Sequence, residues 1–130
     1  MVVLAELIDT GMVKCTCRCG SFVGRPADGA DMKAGGVFSA ELDFEDVIGY
    51  SSVTAAEKAE YSIADENGLT KMCALMTDYE AFEDGGHITF ELDGSMISVD
   101  SVKDERFLHF VGKFVSVRLG NAVVWPYDMP

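Results

Sequence analysis

Basic residues are scarce in this 130-residue chain: ten lysines and arginines stand against 22 aspartates and glutamates, a formal net charge of −12. Holding a nucleic-acid backbone requires cationic groups that displace condensed counterions, so the composition argues against DNA or RNA as a direct partner. Histidine is scarcer still, and His87 and His109 are the only imidazoles available for acid–base work. The motifs of common catalytic sites are missing too: no nucleophile elbow, no phosphate-binding loop and no H-E-x-x-H zinc helix. The first segment, "MVVLAELIDTG", has an apolar run too short to span a bilayer, lacks a basic flank and carries Glu6 and Asp9. No membrane or export segment is therefore expected, and four cysteines in such a chain are expected to be free thiols in the cytoplasm.

What is present is an ordinary globular composition, 48% hydrophobic and 25% charged, far from the low-hydrophobicity range of disordered chains. No linker, repeat or low-complexity tract divides it, so residues 1–130 read as one domain, long enough to bury a core without disulfides or a structural metal. The acid excess is uneven. Residues 26–105 hold nineteen acids and four bases, whereas the flanking segments together hold three acids and six bases. An acidic middle suits a basic partner, a cationic ligand or simple solubility.

Period-two patterning dominates. In "VFSAELDFE", Phe38, Ala40, Leu42 and Phe44 alternate with Ser39, Glu41, Asp43 and Glu45, a strand with one dry face and one carboxylate face. "HITFELDG" followed by "SMISVDSV" reads as a hairpin turning on Asp93-Gly94. "GKFVSVRLGNAVVWP" reads as another strand pair turning near Gly120, and the N-terminal "VVLAELI" and "MVKCTCRC" as a first hairpin around Asp9-Thr10-Gly11, with a short helix ending at the glycine as the alternative for the first segment. One segment points to helix: Thr54 and Glu57 form a T-x-x-E capping box ahead of alanines and charged residues. Residues 61–82 fit either a second helix or a hairpin turning on "DENG", with the hairpin slightly favoured. The expected fold is strand-rich α+β: an antiparallel sheet or small open β-barrel with one or two helices packed on it. "GRPADGADMKAGG" is a long surface loop.

Cys15, Cys17 and Cys19 sit at every second position of "VKCTCRCGSF". Same-face residues of a strand are about 6.6 Å apart, so the outer two lie roughly 13 Å apart. Thiolates sharing one zinc are only about 3.8 Å apart, given tetrahedral geometry and Zn–S bonds near 2.3 Å. The trio is therefore expected to be buried on a strand whose other face shows Lys14, Thr16 and Arg18, and no metal or other cofactor is assigned. A thiol-based metal or redox sensor, with Cys73 added, ranks below that reading.

The ladder Glu41, Asp43 and Glu45 fans out in a row, which is poor geometry for a hard cation. We expect it to lie beside the basic strand of Lys14 and Arg18 as cross-strand pairs. His87, which shares a face with Thr89 and Glu91, His109, which lies among aromatics, and Glu91 are the weak candidates for acid–base catalysis. Phe114, Trp125 and Tyr127 belong to an aromatic-rich last quarter, where a ligand pocket or partner interface would draw on them alongside Met72, Met76 and Met96. The C-terminal "VVWPYDMP" either closes a barrel or reaches a neighbouring subunit, as in a homodimer.

These features favour a small acidic, non-enzymatic binding protein. It presents either an acidic face, with Glu41, Asp43 and Glu45, to a basic protein, or a lined cavity to a small apolar or cationic ligand. An enzyme pairing a histidine with a carboxylate is the alternative from another class.

Overall fold

In a computed structural model, residues 1–8 and 11–127 are described. In chain order the strands are β1 (Val2–Leu7), β2 (Val13–Cys17), β3 (Gly20–Pro26), β4 (Val37–Asp43), β5 (Val47–Ile48), β6 (Val53–Ala55), β7 (Ser62–Glu66), β8 (Leu69–Ala81), β9 (Gly86–Leu92), β10 (Ser95–Ser101), β11 (Phe114–Leu119) and β12 (Ala122–Tyr127). Short 3-10 turns cover Tyr50–Ser52 and Glu105–Phe110.

Five strands close on themselves. β1, β2 and β3 form an antiparallel meander, β4 returns to the free edge of β1, and β12 pairs antiparallel with β4 and parallel with β3. The spatial order 4-1-2-3 is a Greek key, and β12 seals it into a small barrel. Alternation drives the closure: Val3, Ala5, Val13, Cys15, Phe22, Ala40, Leu42, Ala122 and Val124 point inward and are buried. Several of these are small, which lets five strands approach a narrow axis while Phe22 fills the middle.

Residues 44–121 are inserted between β4 and β12 and build a second ring. β8 is its longest strand. Leu75 lies between Phe114 of β11 and Glu91 of β9, and Cys73 lies between Ser116 of β11 and Ser62 of β7, so β7 and β9 share one edge of β8. β10 continues from β9. The segment from β5 to β6 then bridges β10 to β11, pairing parallel with the first and antiparallel with the second. Both tight hairpins turn on residues with positive φ, Asn67-Gly68 and Asp93-Gly94, as type I′ turns require. Phe107, fully buried on the second 3-10 turn, packs against Tyr50 and Tyr79 and plugs the ring.

The two rings share one continuous core. At the neck of the insertion the Asp46 carboxylate accepts the Gly120 N–H at 3.0–3.1 Å. Gly20 of β3 pairs in parallel with Ile63 of β7, and a Cβ at Gly20 would lie 2.0 Å from the Ile63 carbonyl oxygen.

The strand-rich expectation and the barrel agree with this architecture, and the hairpins on "DENG" and Asp93-Gly94 form as read. Four expectations are corrected. No α-helix packs on the sheet among the described residues: of the capping-box segment 54–60, Thr54 and Ala55 end β6 and residues 56–60 are irregular. A short helix nucleates at a cost that seven residues with no apolar stripe do not recover. β11 and β12 are consecutive but do not pair, because β12 leaves the inserted ring to close the barrel. The acidic strand does not adjoin the basic one, since β1 lies between β2 and β4 and Lys14 faces Glu6 instead. Finally, only Cys15 of the three neighbouring cysteines is fully buried. Arg18 and Cys19 form the β2–β3 turn, which ends the alternation. The Asp9-Thr10 turn and residues 128–130 lie outside the described residues.

Candidate functional site: an acidic and aromatic groove

Trp125 of β12 stands directly opposite Glu41 of β4, with Val123 opposite Asp43 and Tyr127 opposite Ser39. The inward partners Ala40, Leu42, Ala122 and Val124 are buried, so period-two geometry turns Glu41, Asp43, Trp125 and Tyr127 outward. Trp125 and Tyr127 each remain half exposed. Across from them, β10 of the inserted ring presents Met96, whose side chain is also exposed.

A groove follows this junction as two adjoining depressions that share Glu41, Leu42 and Met96. One, of about 290 Å³, adds Asp43, Ser98 and Trp125. The other, of about 300 Å³, adds Met1, Ala40, Gly94, Ser95, Ile97 and Tyr127. Among the described residues neither Glu41 nor Asp43 has an ion-pair partner. Glu45, the third member of the ladder, is held by Arg25 at 2.7 Å. The Met1 ammonium donates to the Ala40 carbonyl at 3.0 Å at the Tyr127 end of the groove. One end therefore joins Glu41 and Asp43 to an indole face, and the other shares Glu41 alone and adds mainly apolar residues.

Two further clefts differ in character. One of about 490 Å³ lies over the sheet of the inserted ring and is lined by Thr54, Ser62, Ser116 and Cys73, with Lys58, Lys71, Glu57 and Glu60. Its lysines and glutamates balance in charge. The other, of about 300 Å³, lies where the rings meet and is lined by Met1, Val2, Cys17, Cys19 and Leu92, with Arg18 and Asp93. Burial pushes the Cys15 thiol up to about 11, and burial with neighbouring Cys17 and Asp93 pushes Cys19 up to about 11 as well. These are poor nucleophiles at neutral pH. Among the described residues no three His, Cys, Asp or Glu side chains are grouped to hold a metal ion.

The structure thus brings together four of the six binding residues read from the sequence: Glu41, Asp43, Trp125 and Tyr127. Phe114 packs its ring on Tyr61 in the inserted sheet, 5.2 Å between centroids, away from the groove's lining. His87 is not paired with Glu91. Its Nδ1 lies 3.5 Å from Asp100, and Glu80 is its cross-strand neighbour on β8. Glu91 accepts hydrogen bonds from the Tyr61 hydroxyl and the Gly94 N–H, and it holds the Tyr61 phenol protonated to about 12. His109 is exposed on the 3-10 turn. Neither histidine lines any of these clefts.

Sequence reasoning noted Met96 only as an adaptable side chain, and missed Ser98 and the contribution of β10. The outward positions 96 and 98 were legible from the hairpin alternation, but their meeting with β4 and β12 was not. No protein-family model, curated protein or solved structure matches this chain. No helix among the described residues is long and apolar enough to cross a membrane.

Proposed function

We propose that this protein is a binding module that takes a basic segment of a partner protein in the groove between β4, β12 and β10. The observation that carries the reading is Trp125 set opposite Glu41 and beside Asp43, with both carboxylates unpaired. A guanidinium or ammonium gains there from the ring quadrupole and from two anions at once. Trp, Tyr and Met are the residue types that anchor interfaces, and a half-exposed tryptophan otherwise leaves apolar surface in water. The net charge of −12 adds long-range attraction for a basic partner and disfavours a polyphosphate.

Calorimetric titration with an arginine-rich peptide tests this. Affinity is expected to fall at least tenfold between about 50 mM and 500 mM salt, because much of the attraction is screened within a Debye length. The Glu41→Gln, Asp43→Asn double variant should bind weakly at both. A ligand that stacks on Trp125 without salt sensitivity, such as a neutral oligosaccharide, would replace the reading.

A further inference from the structure

From the two unlike halves of the groove we infer that it reads two side chains of an extended segment, a basic one at Trp125 and an apolar one at Tyr127, two residues apart. This rests on the binding reading above and specifies the partner. Trp125 and Tyr127 lie on the same face of β12, about 6.6 Å apart along the strand. The side chains at i and i+2 of an extended peptide have the same spacing. A segment running along β12 therefore places alternate side chains in the two depressions.

The depressions select different chemistry. At Trp125 the added groups are Asp43 and Ser98, so a cation is received by the indole face and carboxylates and its remaining N–H groups find oxygen acceptors. At Tyr127 no second carboxylate joins Glu41, and the exposed surface added there is mainly the half-exposed Tyr127 ring and the partly buried Met1 side chain, since Ala40 and Ile97 are themselves buried. An apolar side chain buries its surface there against Met1, Met96 and Tyr127. Met96, exposed between the two halves, supplies an adaptable wall for both. The recognised pattern is a lysine or arginine and an apolar residue in alternate positions. Neighbouring positions would send one of the two side chains away from the groove.

Trp125 is the only tryptophan in the chain, so its intrinsic fluorescence reports occupancy of this site without a label. The experiment titrates the full chain with capped eight-residue peptides of serine and threonine carrying one arginine and one leucine at spacings of one, two or three. A fourth peptide carries two arginines at spacing two. The arginine–leucine peptide at spacing two should bind about tenfold more tightly than the other three, the difference expected for one well-buried leucine side chain. Equal affinities at all three spacings would overturn the two-site inference while leaving a basic-segment module intact. Tighter binding of the two-arginine peptide would overturn the apolar assignment. No fluorescence or calorimetric response to any peptide, the arginine-rich one included, would remove both readings.

Discussion

Arg18 and Asp93 join the tips of two hairpins 75 residues apart: the guanidinium Nε and Nη2 each donate to one Asp93 oxygen at 2.7 Å. Arg18 occupies the β2–β3 turn of the barrel and Asp93 the β9–β10 turn of the inserted ring, so the pair bolts one to the other. The Arg18 hydrogen bonds hold the Asp93 carboxyl below its ordinary 3.8. Between the two values the unfolded chain binds more protons, so this contribution is present above about pH 4 and is lost as pH falls through the folded value. Arg18 is largely exposed, which keeps the effect small. Asp93→Asn should lower the melting temperature by no more than about 3 °C at pH 7, and the gap from the parent chain should close as pH falls through the depressed folded value. Thermal melts across pH 2–7 check this, and a gap that widens in acid would refute the assignment.

Gly20 is the second joint. Its φ of +142° favours glycine, and an added Cβ would lie 2.0 Å from the Ile63 carbonyl oxygen. Gly20→Ala should cost about 3 kcal/mol or prevent folding, since it combines backbone strain with a clash against main chain that cannot rotate away. Gly29→Ala, where φ is also positive but nothing lies within 4 Å, should cost only about 1 kcal/mol. Urea denaturation of the two variants gives the comparison directly.

Trp125 is half exposed and faces the groove, so its removal should separate binding from stability. Trp125→Ala is expected to weaken binding of a basic peptide by about 2 kcal/mol, in the range of interface anchors. The same change should move the urea midpoint little, because the buried partners of β12, Ala122 and Val124, are untouched. Phe107→Ala should do the opposite, costing about 3–5 kcal/mol of stability while the groove residues remain in place.

The cysteines provide a chemical check on burial. Cys15 and Cys19 are both raised from 9.0 to about 11, Cys15 first by burial and then by neighbouring Cys17. At pH 8 native Cys15 should resist iodoacetamide for hours, and Cys19 should alkylate far more slowly than a free thiol, since the thiolate is the reactive form. Because the folded values are raised, the stability they contribute is present below pH 9 and is lost as pH rises toward 11. Peptide mass spectrometry of timed, quenched reactions measures each site separately.

Much of the site was written locally. The alternation of "VFSAELDFE" put Glu41 and Asp43 on the outer face of β4, and the alternation of "HITFELDGSMISV" put Met96 and Ser98 outward on β10. What joins them is non-local. Residues 44–121 separate β4 from β12, so no periodicity could set Trp125 opposite Glu41. The default that neighbouring strands pair failed at β11 and β12 for the same reason: the chain there passes from one ring to the other. The capping box at Thr54 and Glu57 met the conditions for a helix start but had no apolar stripe to bury. The two-residue period of the cysteines held for Cys15 and ended at Arg18-Cys19, where the chain turns.

The central claim is that the groove between β4, β12 and β10 is the recognition surface, and amide chemical-shift mapping tests it most directly. Titrating isotope-labelled protein with the arginine–leucine peptide at spacing two should shift the amides of residues 41–43 and 96–98 and of Trp125 and Tyr127, together with the Trp125 indole N–H. Shifts concentrated instead at Thr54, Ser62, Lys71 and Ser116, with the Trp125 indole unmoved, would contradict the account and assign binding to the hydroxyl-lined cleft.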